Sequence, residues 1–92
     1  MISRFRHRGL RRPYEDDDQR GVNAEHVPKI MRILARLDDA IRPEDMDIVG
    51  YRLHALKGDL AGFWSVTVRA NWRIIFRFDG GNATDVDYVD YH

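Results

Sequence analysis

The stretch FWSVTVRANWRIIFRFDGGNATDVDYVDYH, residues 63–92, alternates apolar and polar side chains through three runs broken by short turns. Successive side chains of a strand point to opposite faces, so a period of two demands a half-buried sheet. Trp64, Val66 and Val68 fall on one face, with Ser65, Thr67 and Arg69 on the other. The next run sets Trp72, Ile74, Phe76 and Phe78 against Arg73, Ile75 and Arg77. DGGN, residues 79–82, is a turn of the kind that closes a hairpin, and the last run resumes with Val86 and Tyr88 apolar. Upstream, IVGYRLHAL alternates around Tyr51 and Leu53 and predicts another strand, ended by the KGD turn.

A meander of this kind has one apolar face to cover. Val27, Ile30, Leu34, Leu37 and Ile41 recur at three- and four-residue steps, the stripe of a helix that packs on that face. Asn23 is its expected N-cap, Pro28 sits where a missing donor is tolerated, and Pro43 marks its end. ISRF near the N-terminus reads as a short strand, and Pro13 with the acidic run limits any helix in residues 10–20 to a short one. The expectation is one α+β domain over residues 1–92, helices first and an antiparallel sheet after.

A chain of 92 residues is of single-domain size, and folding buries roughly 60–65% of the surface the unfolded chain exposes. There are no cysteines, which excludes disulfides and thiol nucleophiles and fits a reducing cytoplasm. No apolar run approaches the ~18 residues of a membrane span, and the charged N-terminus lacks the apolar core of a signal peptide. Fifteen basic and fifteen acidic residues cancel overall but not locally. Arg4, Arg6, Arg8, Arg11 and Arg12 form a basic block, Glu15 to Asp18 an acidic one, and from Ile48 to Phe78 the bases Arg52, Lys57, Arg69, Arg73 and Arg77 face a single acid, Asp59. Blocks of this sort give a neutral molecule a positive working face.

That face is expected to carry Arg69 and Arg73 on neighbouring strands, with Lys57 in the turn before them. Guanidinium groups bind phosphate oxygens in pairs and never lose their charge. The competing use of these bases is pairing with Asp59, Asp85 or Asp87 across strands. His7 and His26 lie in charged segments and are expected to be solvated. His54 ends a strand and His92 ends the chain, preceded by Asp90 and Tyr91. Two imidazoles flanked by cations suit RNA transesterification: a base takes the 2′-hydroxyl proton, an acid protonates the departing 5′-oxygen, and cations stabilise the phosphorane. Neither a metal nor an organic cofactor is needed. A site of His54, Asp90 and His92 on a divalent metal is the alternative, disfavoured by the surrounding cations. Ser65 has no nucleophile elbow and DGG opens no helix, so acyl transfer and a phosphate-binding loop are set aside. Among the aromatics, Tyr51, Phe63, Trp64, Trp72 and Tyr88 read as core, leaving Tyr91 to the site.

MISRFRHRGL, YRLHALKGD, FWSVTVRANWRIIFRF and the terminal YVDYH together resemble the HigB branch of the RelE superfamily of bacterial toxins, almost end to end. The resemblance implies a microbial ribonuclease-like fold, with an N-terminal strand and two helices packed on a small, mainly antiparallel sheet. It also implies a ribosome-dependent endoribonuclease that cuts messenger RNA codons in the ribosomal A site and stops translation. Its catalytic positions fall on His54, Asp90, Tyr91 and His92, and its phosphate-contacting bases on Lys57, Arg69 and Arg73. Arg4, Arg6 and Arg8 are candidates for gripping ribosomal RNA. The implied partner is a HigA-like helix-turn-helix antitoxin, with operator DNA bound only through the toxin–antitoxin complex and no membrane. A non-catalytic RNA- or antitoxin-binding module is the rival reading; it would keep the basic face and tolerate loss of His54 and the tail.

Overall fold

The computed structural model describes residues 1–7, 9–10 and 22–91. Its sheet is the expected meander, β1 (His54–Ala55), β2 (Trp64–Arg69), β3 (Trp72–Asp79) and β4 (Asn82–Asp90), each antiparallel to the next. Gly80 and Gly81 close the β3–β4 hairpin at φ +58° and +89°, a left-handed pair that glycine adopts without steric penalty.

One face of this sheet is covered by α1 (Val27–Asp39), which buries Val27, Ile30, Ile33, Leu34 and Leu37. Asn23 caps the 3₁₀ turn Ala24–His26 that leads into it, its Oδ1 accepting from the Glu25 amide at 3.0 Å. Ala40 is already extended, so Ile41 leaves the stripe and stands 69% exposed, contrary to its expected place in the core. The α1 residues pack on Val66, Ile74, Phe76 and Val86, all fully buried. Full burial of such side chains is worth about 1.5–3 kcal/mol each.

Two local expectations are corrected. The N-terminal strand is reduced to two isolated parallel bridges, Ile2 to Ala83 and Phe5 to Val86, along the outer edge of β4. Residues 48–53 form no strand: the chain turns at 49–51 and Arg52 takes φ +53°, leaving only His54–Ala55 paired. Of the two helices, α1 is the one of full length among the described residues; Gly9–Leu10 are helical and residues 11–21 lie outside the description. Asp85, at φ +51°, forms a bulge opposite β3, which is how Ala83 and Val86 both reach the core despite a spacing of three.

His26 is not solvated. It is 5% exposed, and its Nδ1 lies 2.6 Å from the Tyr88 hydroxyl. Trp72 stacks on Tyr88 at 4.6 Å between ring centroids, and His7 meets Tyr88 edge-on at 5.6 Å. Burial pushes the Tyr88 phenol above its usual pKa, opposed by the Asn23 amide and reinforced by Asp90. This cluster fastens the entry to α1 onto the last third of β4.

Candidate active site

Residues paired directly across an antiparallel ladder share a face, so the register sorts the candidates without further assumption. On the face turned away from α1, Thr67, Arg73 and Val89 form one row, and His54, Ser65, Ile75 and Asp87 form the next. Ile75 is not a surface residue: with Leu56 and Phe63 it makes a second, smaller buried cluster, packed by Leu60 and Val89. The working face is therefore a small apolar floor with polar groups set into it.

His54 is exposed on this floor, and its Nδ1 lies 3.1 Å from the Arg52 carbonyl oxygen. A carbonyl only accepts, so Nδ1 carries a proton, and in the neutral ring the lone pair is on Nε2. Arg52 delivers that carbonyl from its left-handed backbone, a conformation uncommon for a side-chain-bearing residue. Arg73 is half-buried; Nη1 donates to the Thr67 hydroxyl, while Nε is buried with no hydrogen-bond partner among the described residues. A buried guanidinium donor left without an acceptor is uncommon, since such donors are normally satisfied. Lys57 is exposed at the start of the 3₁₀ turn Gly58–Leu60, three residues beyond His54.

Arg69 departs from expectation. Val68 bulges out of register, so Arg69 sits opposite Trp72 instead of alternating with Thr67. It emerges on the α1 side and reaches Glu25 at 3.2 Å, a pair with both side chains about 70% exposed (68% and 75%). Screened and solvated, that pair contributes ~0–1 kcal/mol, little enough for a phosphate to displace it. The cross-strand pairing foreseen for these bases falls instead to Arg77, which donates to Asp85 at 3.0 and 2.7 Å. The Arg77 hydrogen bond holds the Asp85 carboxyl below its usual pKa; burial opposes this, and Arg4 adds to it from 3.4 Å.

The tail is tied down as far as Tyr91, whose amide donates to the Asn71 carbonyl at 2.8 Å. Tyr91 is 44% exposed. Asp90 pairs with Trp72, on the opposite face from Val89 and close enough to act on Tyr88. His92 and Arg8 lie outside the described residues. Arg4 and Arg6 flank Asp85 and Phe63 on the His54 side of the sheet. Among the described residues, no three His, Asp or Glu side chains gather where they could hold a metal ion, and no helix is long and apolar enough to cross a membrane.

Sequence reasoning missed Thr67 as the support of Arg73 and the Arg52 carbonyl as the support of His54. The alternation did place Thr67 on the polar face, but a positive φ at an arginine leaves no mark in the sequence.

A helix over a four-stranded meander, with an imidazole and a half-buried guanidinium on the open face, is the architecture expected of a RelE-like toxin. Residues 3–92 match the family described as RelE-like toxin of type II toxin-antitoxin system HigB. The chain belongs to this HigB-like toxin family. It is 45% identical to "Endoribonuclease HigB" of Proteus vulgaris over 92 residues, all of both chains. It is 32% identical over 94 residues to "Toxin HigB-1" of Vibrio cholerae serotype O1, covering all of this chain and 98% of that one.

Proposed function

We propose that this HigB-like toxin is an endoribonuclease that cuts messenger RNA in the ribosomal A site by attack of a 2′-hydroxyl on the adjacent phosphate. The observation that supports the reading is that His54 and Arg73 stand on adjacent rows of one face of the sheet, with His54 Nδ1 engaged by the Arg52 carbonyl and Nε2 left for other partners. In this mechanism Nε2 of His54 takes the 2′-hydroxyl proton. Arg73 donates from its guanidinium to a phosphorane oxygen, where charge develops and a fixed donor counts most. Lys57 adds a mobile charge, and Arg69 swings from Glu25 to a flanking phosphate. Tyr91 stacks on a base or orients the nucleotide, and His92 protonates the departing 5′-oxygen. Asp90, facing the other way, acts through the strand it terminates and orients the tail. The 45% identity to a protein named as an endoribonuclease supports the assignment. A HigA-like helix-turn-helix antitoxin neutralises the toxin and carries the complex to operator DNA, and both act in the cytoplasm.

Primer extension on a translated messenger RNA tests this. Cuts should appear only with ribosomes present and in reading frame, persist in chelator, and vanish in His92→Gln or in a chain lacking residues 91–92. Ribosome binding and growth arrest without cuts would instead establish the non-catalytic binding module.

A further inference from the structure

One row beyond His54, the open face of the sheet ends in a cleft of about 490 Å³ lined by Arg4, Arg6, Asp59, Leu60, Phe63 and Asp85. Its position follows from the register. The Leu56 amide donates to the Phe63 carbonyl at 2.9 Å, continuing the β1–β2 pairing past Ala55 and Trp64. Arg77 lies over the Phe63 ring at 5.7 Å and so belongs to the same step of the sheet. Phe5 packs against the main core, so the alternating Arg4 and Arg6 turn to the cleft side, and Arg6 also lies over the Phe63 ring at 5.9 Å. Two residues along a strand span about 7 Å, so this step is about one nucleotide of extended RNA away from His54.

We infer that the cleft is a second nucleotide subsite, which holds the residue of the messenger strand flanking the scissile phosphate. The inference rests on the ribonuclease reading and extends it. The volume suits a mononucleotide, within the range of ligand pockets. Leu60 and Phe63 give an apolar wall for a ribose or base. Arg4 and Arg6 stand where the backbone phosphate passes, and guanidinium forks match its oxygens. Two acids limit the orientation. Asp85 is neutralised by Arg77 at 2.7 Å and by Arg4 at 3.4 Å. Asp59, an acceptor only, repels a phosphate and receives a ribose hydroxyl or a base amine. The phosphate therefore lies toward β4 and the sugar toward the 3₁₀ turn. Arg4 and Arg6 then contact the substrate strand and not ribosomal RNA, a different role from the one their sequence position suggests.

Short RNAs made uncleavable by 2′-O-methylation test the subsite directly by nuclear magnetic resonance titration. A tetranucleotide should bind the wild-type protein about tenfold more tightly than a dinucleotide, the gain expected of one charged hydrogen-bonded contact. Arg4→Gln/Arg6→Gln should erase that gain, leave the dinucleotide unchanged and keep the unfolding temperature, because both side chains are exposed. Wild-type tetranucleotide affinity in that variant, with or without weaker ribosome association, overturns the subsite. Arg73→Gln separates the two levels of the argument. If it leaves dinucleotide affinity unchanged, the ribonuclease reading itself fails; if the wild type binds neither RNA, the subsite is overturned while the ribosome-dependent reading stands.

Discussion

His54→Ala should lower the rate of messenger RNA cleavage by about 10²–10⁴-fold, the usual contribution of a positioned general base. The same substitution should leave folding stability within ~0.5 kcal/mol, as for other exposed residues outside the core. The asymmetry follows from the surroundings of the ring. His54 is exposed and opens a two-residue strand, and its ring hydrogen-bonds the Arg52 carbonyl at 3.1 Å. Little of the fold depends on that bond, but it sets which nitrogen faces the substrate. Single-turnover cleavage and urea unfolding on the same preparation separate the two effects. A variant that cuts at the wild-type rate removes His54 from the mechanism; one that unfolds early makes it a structural residue.

Arg73→Met should keep or raise stability while lowering activity. The side chain is half-buried between Thr67 and Val89, with Nε buried and unpartnered among the described residues. Desolvating a guanidinium without a full set of acceptors opposes folding, and an apolar side chain of similar length avoids that. Unfolding in urea should therefore require the same or more denaturant, by up to about 1 kcal/mol of added stability. Cleavage should fall by about 10²-fold or more, since the lost donor acts where phosphorane charge develops. An arginine kept for architecture behaves otherwise: its loss destabilises by about 3–5 kcal/mol and lowers activity only through unfolding.

The sheet was legible because its signal is local and repeated. Trp64 to Val68 and Trp72 to Phe78 each alternate, DGGN marks the hairpin, and the period sorts most residues to their faces. Helix α1 was legible through its stripe, except at Ile41, where the chain turns extended at Ala40 before the pattern ends. What escaped were the irregularities. Bulges at Val68 and Asp85 break a period-two pattern without altering composition, and the first of them carries Arg69 away from Arg73 to Glu25. His26 follows Glu25 in the sequence, yet the fold buries it against Tyr88, 62 positions away. Its burial is a tertiary fact with no local sign. The candidate site was legible as a set of residue types, His54 with Lys57 and Arg73, because the chemistry of a phosphate limits which side chains can serve. Its orientation was not, since Arg52 adopts a backbone conformation that nothing in its side chain requires.

The central claim is that one imidazole and one guanidinium, set on the same floor by two adjacent rows of the sheet, act on a single phosphodiester through its neighbouring 2′-hydroxyl. The chemistry of the cut ends reports on this most directly. Fragments released from translated messenger RNA should carry a 5′-hydroxyl on the downstream piece and a cyclic or 3′-phosphate on the upstream piece. A downstream 5′-phosphate with an upstream 3′-hydroxyl would mean that water, not the 2′-oxygen, attacked, and the account given to His54 and Arg73 would be wrong.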